Sequence, residues 1–406
     1  LDALSRDELL RVAHEYMLWG LVVNRAMLPQ VLLNGGRLDD MNTVAIDEWM
    51  GASPVYTRRM RELMGIEGDN VEAIMKALQL DVGFVHQYMN VAYKLVDDHY
   101  GEFWLDHCGA LLDAEPHGEG HVVGMCHTIE DPTFDATALA TNPRARIRPI
   151  HRPPRVPADR HPHCHWTIAI DAENDPVGPV ALTDEVARLP LASVPNARAG
   201  AGDGPGMLDY RGAFEPAFRL GSLATPTLAA VAREFQMQSH LLICSGELAL
   251  RERFGDDAGA RMIESTWVGA AWIASERLAA TLAPAAPAAE QAAAVLAHTP
   301  ALPPGFERRV ELDGDHVRIT LLPSAAGVFD AAHPGCPGML ARGQVGGIEA
   351  SVRALDPSAS ISVVDTNGRV AVDVQVGALH DPIPEPPEIP LMRIGMVSSW
   401  EFAISE

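Results

Sequence analysis

The chain has 406 residues, 47% of them hydrophobic, and a formal charge of −23 from 54 acidic and 31 basic side chains. That length exceeds one ordinary core and points to two or three domains, and the composition excludes disorder and fits a soluble globular protein. A negative field of this size repels phosphate backbones and anionic membranes, so neither nucleic acid nor membrane is expected as a partner.

Ser5-Arg6-Asp7-Glu8 is a capping box, and the apolar spacing after it predicts a helix to about Leu33, where Asn34-Gly35-Gly36 stops it. Leu18 to Val23 is apolar on nearly all sides, which predicts a buried helix or one in a subunit interface. Two shorter helices are expected at Thr43 to Met50 and Pro54 to Met64, the second opened by its proline. Asp69 is expected to cap a long helix to about Asp98, with Val71, Ile74, Leu78, Val82, Val85, Met89 and Val96 inward. Strands are predicted at Phe103 to Cys108, Arg144 to His151 and His163 to Asp171, with helical segments at Val122 to Ile129 and Phe134 to Ala140 between the first two.

Residues 173–226 are rich in Pro, Gly, Ala and Asp and are expected to be a linker or a surface-wrapping segment. Helices follow at Thr227 to Phe254, Asp257 to Leu282 and Ala288 to His298. Strands are expected at Arg309 to Asp313 and Val317 to Leu322, a helix at Met339 to Leu355, and a hairpin of Ser360 to Val364 with Arg369 to Val376 around Asn367-Gly368. The tail, 378–406, is proline-rich and then apolar. The order of helices, strand, helix and two strands occurs twice, which predicts an α+β tandem of two diverged copies. Each copy packs long helices on a small antiparallel sheet. The domains are 1–172, 227–377 and the segments between and after them.

Three of the five cysteines and half of the sixteen histidines fall between His107 and His165. Five cysteines without CxxC spacing make no disulfide framework, and no charged stretch followed by an apolar run opens the chain at Leu1. A reducing cytoplasm is the expected location. The arginine run Arg144, Arg146, Arg148, Arg152, Arg155 and Arg160 reads as a hairpin paired to surrounding acids, with an anionic substrate as the sharper alternative.

Cys108, then Cys126-His127-Thr128-Ile129-Glu130-Asp131, then Asp159-Arg160-His161-Pro162-His163-Cys164-His165-Trp166 resemble the domain shared by L-2-amino-thiazoline-4-carboxylic acid hydrolase and the 4-vinyl reductase domain group. The likeness covers about residues 70 to 171. It implies a small-molecule hydrolase acting on a polar ring or amide bond, or, as in phenol-sensor relatives, a non-catalytic binding module with a structural zinc held by cysteines and a glutamate. It also implies a homodimer formed through the helices. In that pattern Cys126 and Cys164 stand at two ligand positions, His151 replaces another cysteine, and Arg148 lies near the expected glutamate.

Zinc takes four tetrahedral ligands in structural sites and three plus water in catalytic ones. The expected metal set is Cys126, His151 and Cys164, completed by His161, His163 or His127. The metal-free alternative makes Cys126 a thiolate nucleophile, with His127 as base, Glu130 and Asp131 orienting it, and Cys108 close by. Neighbours on a helix point about 100° apart, which places His127 poorly for that task. The partner in either case is a small molecule. No phosphate loop, nucleophile elbow or zinc-binding helix motif is present.

Overall fold

A computed structural model describes residues 1–197, 205–365, 368–377 and 381–403. The first unit opens with two long helices, α1 (Arg6–Leu33) and α2 (Leu38–Met64), then α3 (Val71–Leu78) and the single turn α4 (His86–Met89). Strands β1 (Val91–Leu95) and β2 (Tyr100–Leu105) lead to α5 (Gly109–Ala114) and α6 (Glu119–Val123). A π-helical stretch, Gly124–Ile129, runs into α7 (Glu130–Leu139), and β3 (Ala145–His151) and β4 (Cys164–Ile170) close the unit. After α8 (Ala181–Ala187) the plan repeats: α9 (Thr225–Phe254), α10 (Asp256–Leu282), α11 (Ala288–His298), β5 (Phe306–Asp313) and β6 (His316–Pro323). Then come α12 (Cys336–Ala341), α13 (Gly346–Arg353), β7 (Ser360–Asp365), β8 (Val370–Gln375) and the tail turn α14 (Ile389–Met392).

The chain is an α+β tandem. Its two four-stranded antiparallel sheets have the orders β1-β2-β4-β3 and β5-β6-β8-β7, and each carries a register shift in its last edge pair, at Pro149/His151 and Val363/Asp365. Leu105 opposite Cys164 corresponds to Leu321 opposite Val370, so the second unit has valine where the first has Cys164. Both α2 and α10 are 27 residues long. Aligned end to end, they match Trp49-Met50-Gly51-Ala52 with Trp267-Val268-Gly269-Ala270, and Arg59 with Arg277.

The same alignment extends across the units. α1 packs on α10 and α9, and α2 on α9, within one continuous hydrophobic core. Arg59 on α2 grips both oxygens of Glu234 on α9 at 2.7 and 3.0 Å, and Arg277 on α10 grips both oxygens of Glu15 on α1 at 2.6 and 3.0 Å. Each arginine also donates to carbonyls of the segment that follows its own sheet: Ala192 and Val194 for Arg59, Val397, Ser398 and Trp400 for Arg277. The stretch expected as a linker is therefore the counterpart of the tail. Its α8 lies against α2 and α9 as α14 lies against α10 and α1.

Several local expectations change. α2 passes straight through Pro54, which has no N–H for the carbonyl of Met50. The buried Thr183 hydroxyl of α8 supplies that donor at 2.9 Å. The long helix expected from Asp69 to Asp98 is capped by Asn70 and ends at Leu78, and its last third is β1. Asp81 forces the break, accepting the Gly83 amide at 2.7 Å and the Tyr56 hydroxyl at 3.2 Å. Val82, Val85 and Met89 are buried, but Val96 is exposed. Met339 to Leu355 is interrupted before α13, with Gly343 at φ +77°. Of the turn expected at Asn367-Gly368, Asn367 lies outside the described residues. No helix among the described residues is long and apolar enough to cross a membrane.

Thr183→Val should destabilise the chain by about 1–3 kcal/mol, the cost of an orphaned buried carbonyl. In a Pro54→Ala background a helical amide replaces the lost donor and most of that cost should disappear. Urea unfolding of the four-member cycle measures the coupling; strictly additive effects would remove Thr183 from this role.

Candidate functional site

A cavity of about 430 Å³ lies between α1, α2, the π-helical stretch with α7, and the first sheet. Its walls are mainly apolar and aromatic, including Trp49, Phe84, Phe134 and Trp166. Phe134 meets Trp166 edge-on at 5.0 Å and Phe84 at 5.9 Å between ring centroids. The tail closes one side: Leu391, Met392, Gly395 and Val397 all face the cavity, and the Met396 amide donates to Asp113 at 2.6 Å. The apolar tail thus packs within the chain, as far as its described residues run. Leu32, Leu33, His117 and His121 also lie on the wall.

The second unit has a larger side chain at the corresponding place. Ile263 stands where the first unit has the cavity-lining Ala45, and Trp267 packs so closely on Gly347 that a Cβ there would lie 2.1 Å from the ring. In the first unit, Gly124 lets the π-helical stretch approach Asn42, whose Oδ1 is buried without a partner. π-helical insertions of this kind recur at functional sites.

Strand alternation sets which cluster residues meet. Cys164 and Trp166 point inward and Cys164 lines the cavity, as does Cys108 on the loop after β2. Cys126 is buried beside them and Glu130 follows one turn on. His151 does not join them. The register shift sets it opposite His165, with rings 6.2 Å apart, and His165 bonds Glu102 at 3.0 Å on the outer face of the sheet.

The other candidates hold the loop between β3 and β4. His127 Nε2 lies 2.7 Å from the Pro153 carbonyl, to which it must donate, and Asp131 pairs with Arg152 at 2.6 Å. His161 Nδ1 bonds the Asp106 carbonyl at 3.0 Å. The buried His163 accepts the Cys108 amide at 3.2 Å, and burial beside Arg155 pushes its pKa down to about 4. The arginine run is largely neutralised as expected: Arg148 forks onto Asp135, and Arg155 pairs with Glu115.

A zinc ion does not fit this donor set. Among the described residues no three His, Cys, Asp or Glu side chains are arranged to hold a metal. Cys126 and Cys164 face inward whereas His151 faces out, and burial raises both thiols well above their ordinary range. The expected convergence of Cys126, His151 and Cys164 is therefore replaced by a thiol-lined wall. Cys108 is likewise pushed up, to about 12, by burial and the nearby Glu130. Nor is His127 bonded to Cys126: among the described residues its side chain bonds only the Pro153 carbonyl.

Among polar residues outside the expected cluster, Asn24, Arg25 and Asp113 lie on the walls, and Glu48 and Tyr88 stand behind them. Arg25 donates to Asp113 at 2.9 Å and to the side chain of Asn24 at 2.7 Å. Asn24 donates to Glu48 at 2.9 Å, and Tyr88 to Asp113 at 2.7 Å. Burial raises Glu48 and Glu130 to about 8 and Asp81 to about 6. The signal in the sequence was Asn24-Arg25 directly after an all-apolar run, and Glu48 on the inward face of its helix. No family model, curated protein or solved structure matches the chain.

Glu48 stays protonated in the folded chain between its ordinary value of 4.5 and about 8. The unfolded chain is ionised there and binds fewer protons, so stability should fall as pH rises through that window. Denaturant unfolding at pH 5, 6.5 and 8 should show a shallower fall for Glu48→Gln, by up to roughly 1.4 kcal/mol per pH unit. An unchanged slope would mean that Glu48 is ionised in the fold. All five cysteines are buried. Their alkylation by iodoacetamide at pH 8 should therefore be slower in the native chain than after unfolding, on the order of a hundredfold or more. Rapid native labelling of Cys126 would revive the thiolate nucleophile.

Proposed function

We propose that this chain is a small-molecule-binding module whose ligand occupies the cavity of the first unit. The observation that carries the reading is the cavity itself: its volume of about 430 Å³ falls within the range of ligand pockets, and it combines apolar walls with a few convergent polar groups. It lies where the thiols, Glu130 and the long helices meet, and the second unit carries the larger Ile263 at the position of Ala45. The binding alternative implied by the family resemblance fits this arrangement better than the hydrolase one. Thiols raised by burial, with no imidazole hydrogen-bonded to any of them among the described residues, supply no activated nucleophile. The metal-held form of that alternative is not part of the proposal.

Fluorescence titration of the chain with the neutral probe N-phenyl-1-naphthylamine tests this. One saturable site per chain is expected. Ala45→Ile, which copies the second unit, should weaken binding, and Ala45→Trp should weaken it by about tenfold or more, equivalent to ~1.4 kcal/mol. Unaltered binding by an Ala45→Trp variant that keeps the wild-type unfolding midpoint would exclude the cavity as the site.

A further inference from the structure

The polar atoms on the cavity wall are unequally satisfied. The one guanidinium there, that of Arg25, is committed to Asp113 and Asn24. Arg152, whose charge acts on Glu130, pairs with Asp131 at 2.6 Å and lies over the Trp166 ring at 5.8 Å. What remains toward the cavity is rich in acceptors. Glu130 has no side-chain hydrogen bond among the described residues, and Asn42 Oδ1 is buried without a donor. Asp81 adds a further carboxyl to the wall. The carbonyl of Arg25 lacks its helical amide because residue 29 is proline, and both residues line the cavity.

A carboxylate ligand would enter beside Glu130 and Asp81, and among the described residues the wall offers it no uncommitted guanidinium or ammonium. An ammonium brings three donors and no acceptor. The aromatic box of Trp49, Phe84, Phe134 and Trp166 suits both a hydrocarbon body and a cation over a ring face. The geometry points to an amphipathic amine as the ligand class: an apolar body among the aromatic side chains, and a protonated nitrogen paired with Glu130. This rests on the reading of the cavity as a ligand site.

The pairing moves a proton. The groups facing Glu130 are Arg152 from the β3–β4 loop, Cys108 before α5, Cys126 in the π-helical stretch, Cys164 on β4 and Asp131 on its own helix. With burial outweighing Arg152, Glu130 holds its proton up to about pH 8. An alkylammonium that enters at pH 7 therefore displaces that proton to solvent and leaves an ammonium–carboxylate pair.

Calorimetric titration of the full chain with n-octylamine, 1-octanol and octanoate, in buffers of different ionisation enthalpy, tests the inference. Octylamine should bind about tenfold or more tighter than the other two. It should release close to ~1 proton at pH 7 and much less at pH 9. Glu130→Gln should abolish both the advantage of the amine and the proton release. Octanol or octanoate binding as tightly as the amine, with Ala45→Trp blocking all three, would overturn the ligand class and leave the binding reading intact. Amine binding without proton release would overturn the pairing with Glu130. No binding by any probe, or binding indifferent to Ala45→Trp, would overturn both readings together.

Discussion

The structure depends on the helices of each unit being covered by those of the other. The α1 run from Leu18 to Val23 is buried on every side, which no single sheet could achieve, because a sheet covers only one stripe of a helix. α10 and α9 supply the remaining cover, and α9 in turn covers α2. At roughly 1.5–3 kcal/mol for each large apolar side chain removed from water, this shared core favours two units that fold as one body. The pairs Arg59–Glu234 and Glu15–Arg277 sit at matching places in it. Buried ion pairs add little net stability once desolvation is counted, but a two-pronged arginine–carboxylate contact is geometrically exacting. Their contribution is to the register of one unit against the other.

That arrangement explains the straps. Each of these arginines holds the segment following its own sheet, and each segment then crosses to the first long helix of the other unit. The tail of the second unit thereby becomes a wall of the first unit's cavity, through Met392, Val397 and the Met396 amide on Asp113. Residues nearly three hundred positions apart in the chain meet at one carboxylate.

Divergence between the units is concentrated where the cavity forms. The framework is kept: strand order, register shift, Trp49 and Trp267, Arg59 and Arg277. The lining is not, with Ala45 against Ile263 and Cys164 against Val370, nor is the buried Glu48 behind it, which is Thr266 in the second unit. The first unit keeps a cavity lined by Glu130 and Asp81, whose carboxyls burial raises, and the second carries the larger Ile263 at the position of Ala45. Empty space and buried carboxyls both cost stability. An open cavity beside an unpaired carboxyl, that of Glu130, supports the first copy as the one that holds the proposed ligand.

Features governed by near neighbours were legible in the sequence. The capping box at Ser5, the helices from Thr225 to His298, the edge strand ending at His151 and the repeated element order follow from caps, periodicity and turn residues, which act within a few positions. The dense Cys/His segment also lies at the site, although with different members and different roles. What only the tertiary structure decided depends on partners far along the chain. α2 continues through Pro54 because Thr183 supplies the missing donor, and the apolar spacing from Val71 to Val96 divides into helix, turn and strand because β2 pairs with its last part. A one-residue register shift sets His151 opposite His165 on the outer face, away from Cys164. The cavity exists because helices from both units and the tail enclose it, and burial there fixes whether Glu130, Glu48 and the thiols carry charge. No spacing rule reports that, since desolvation is a property of the whole surrounding volume.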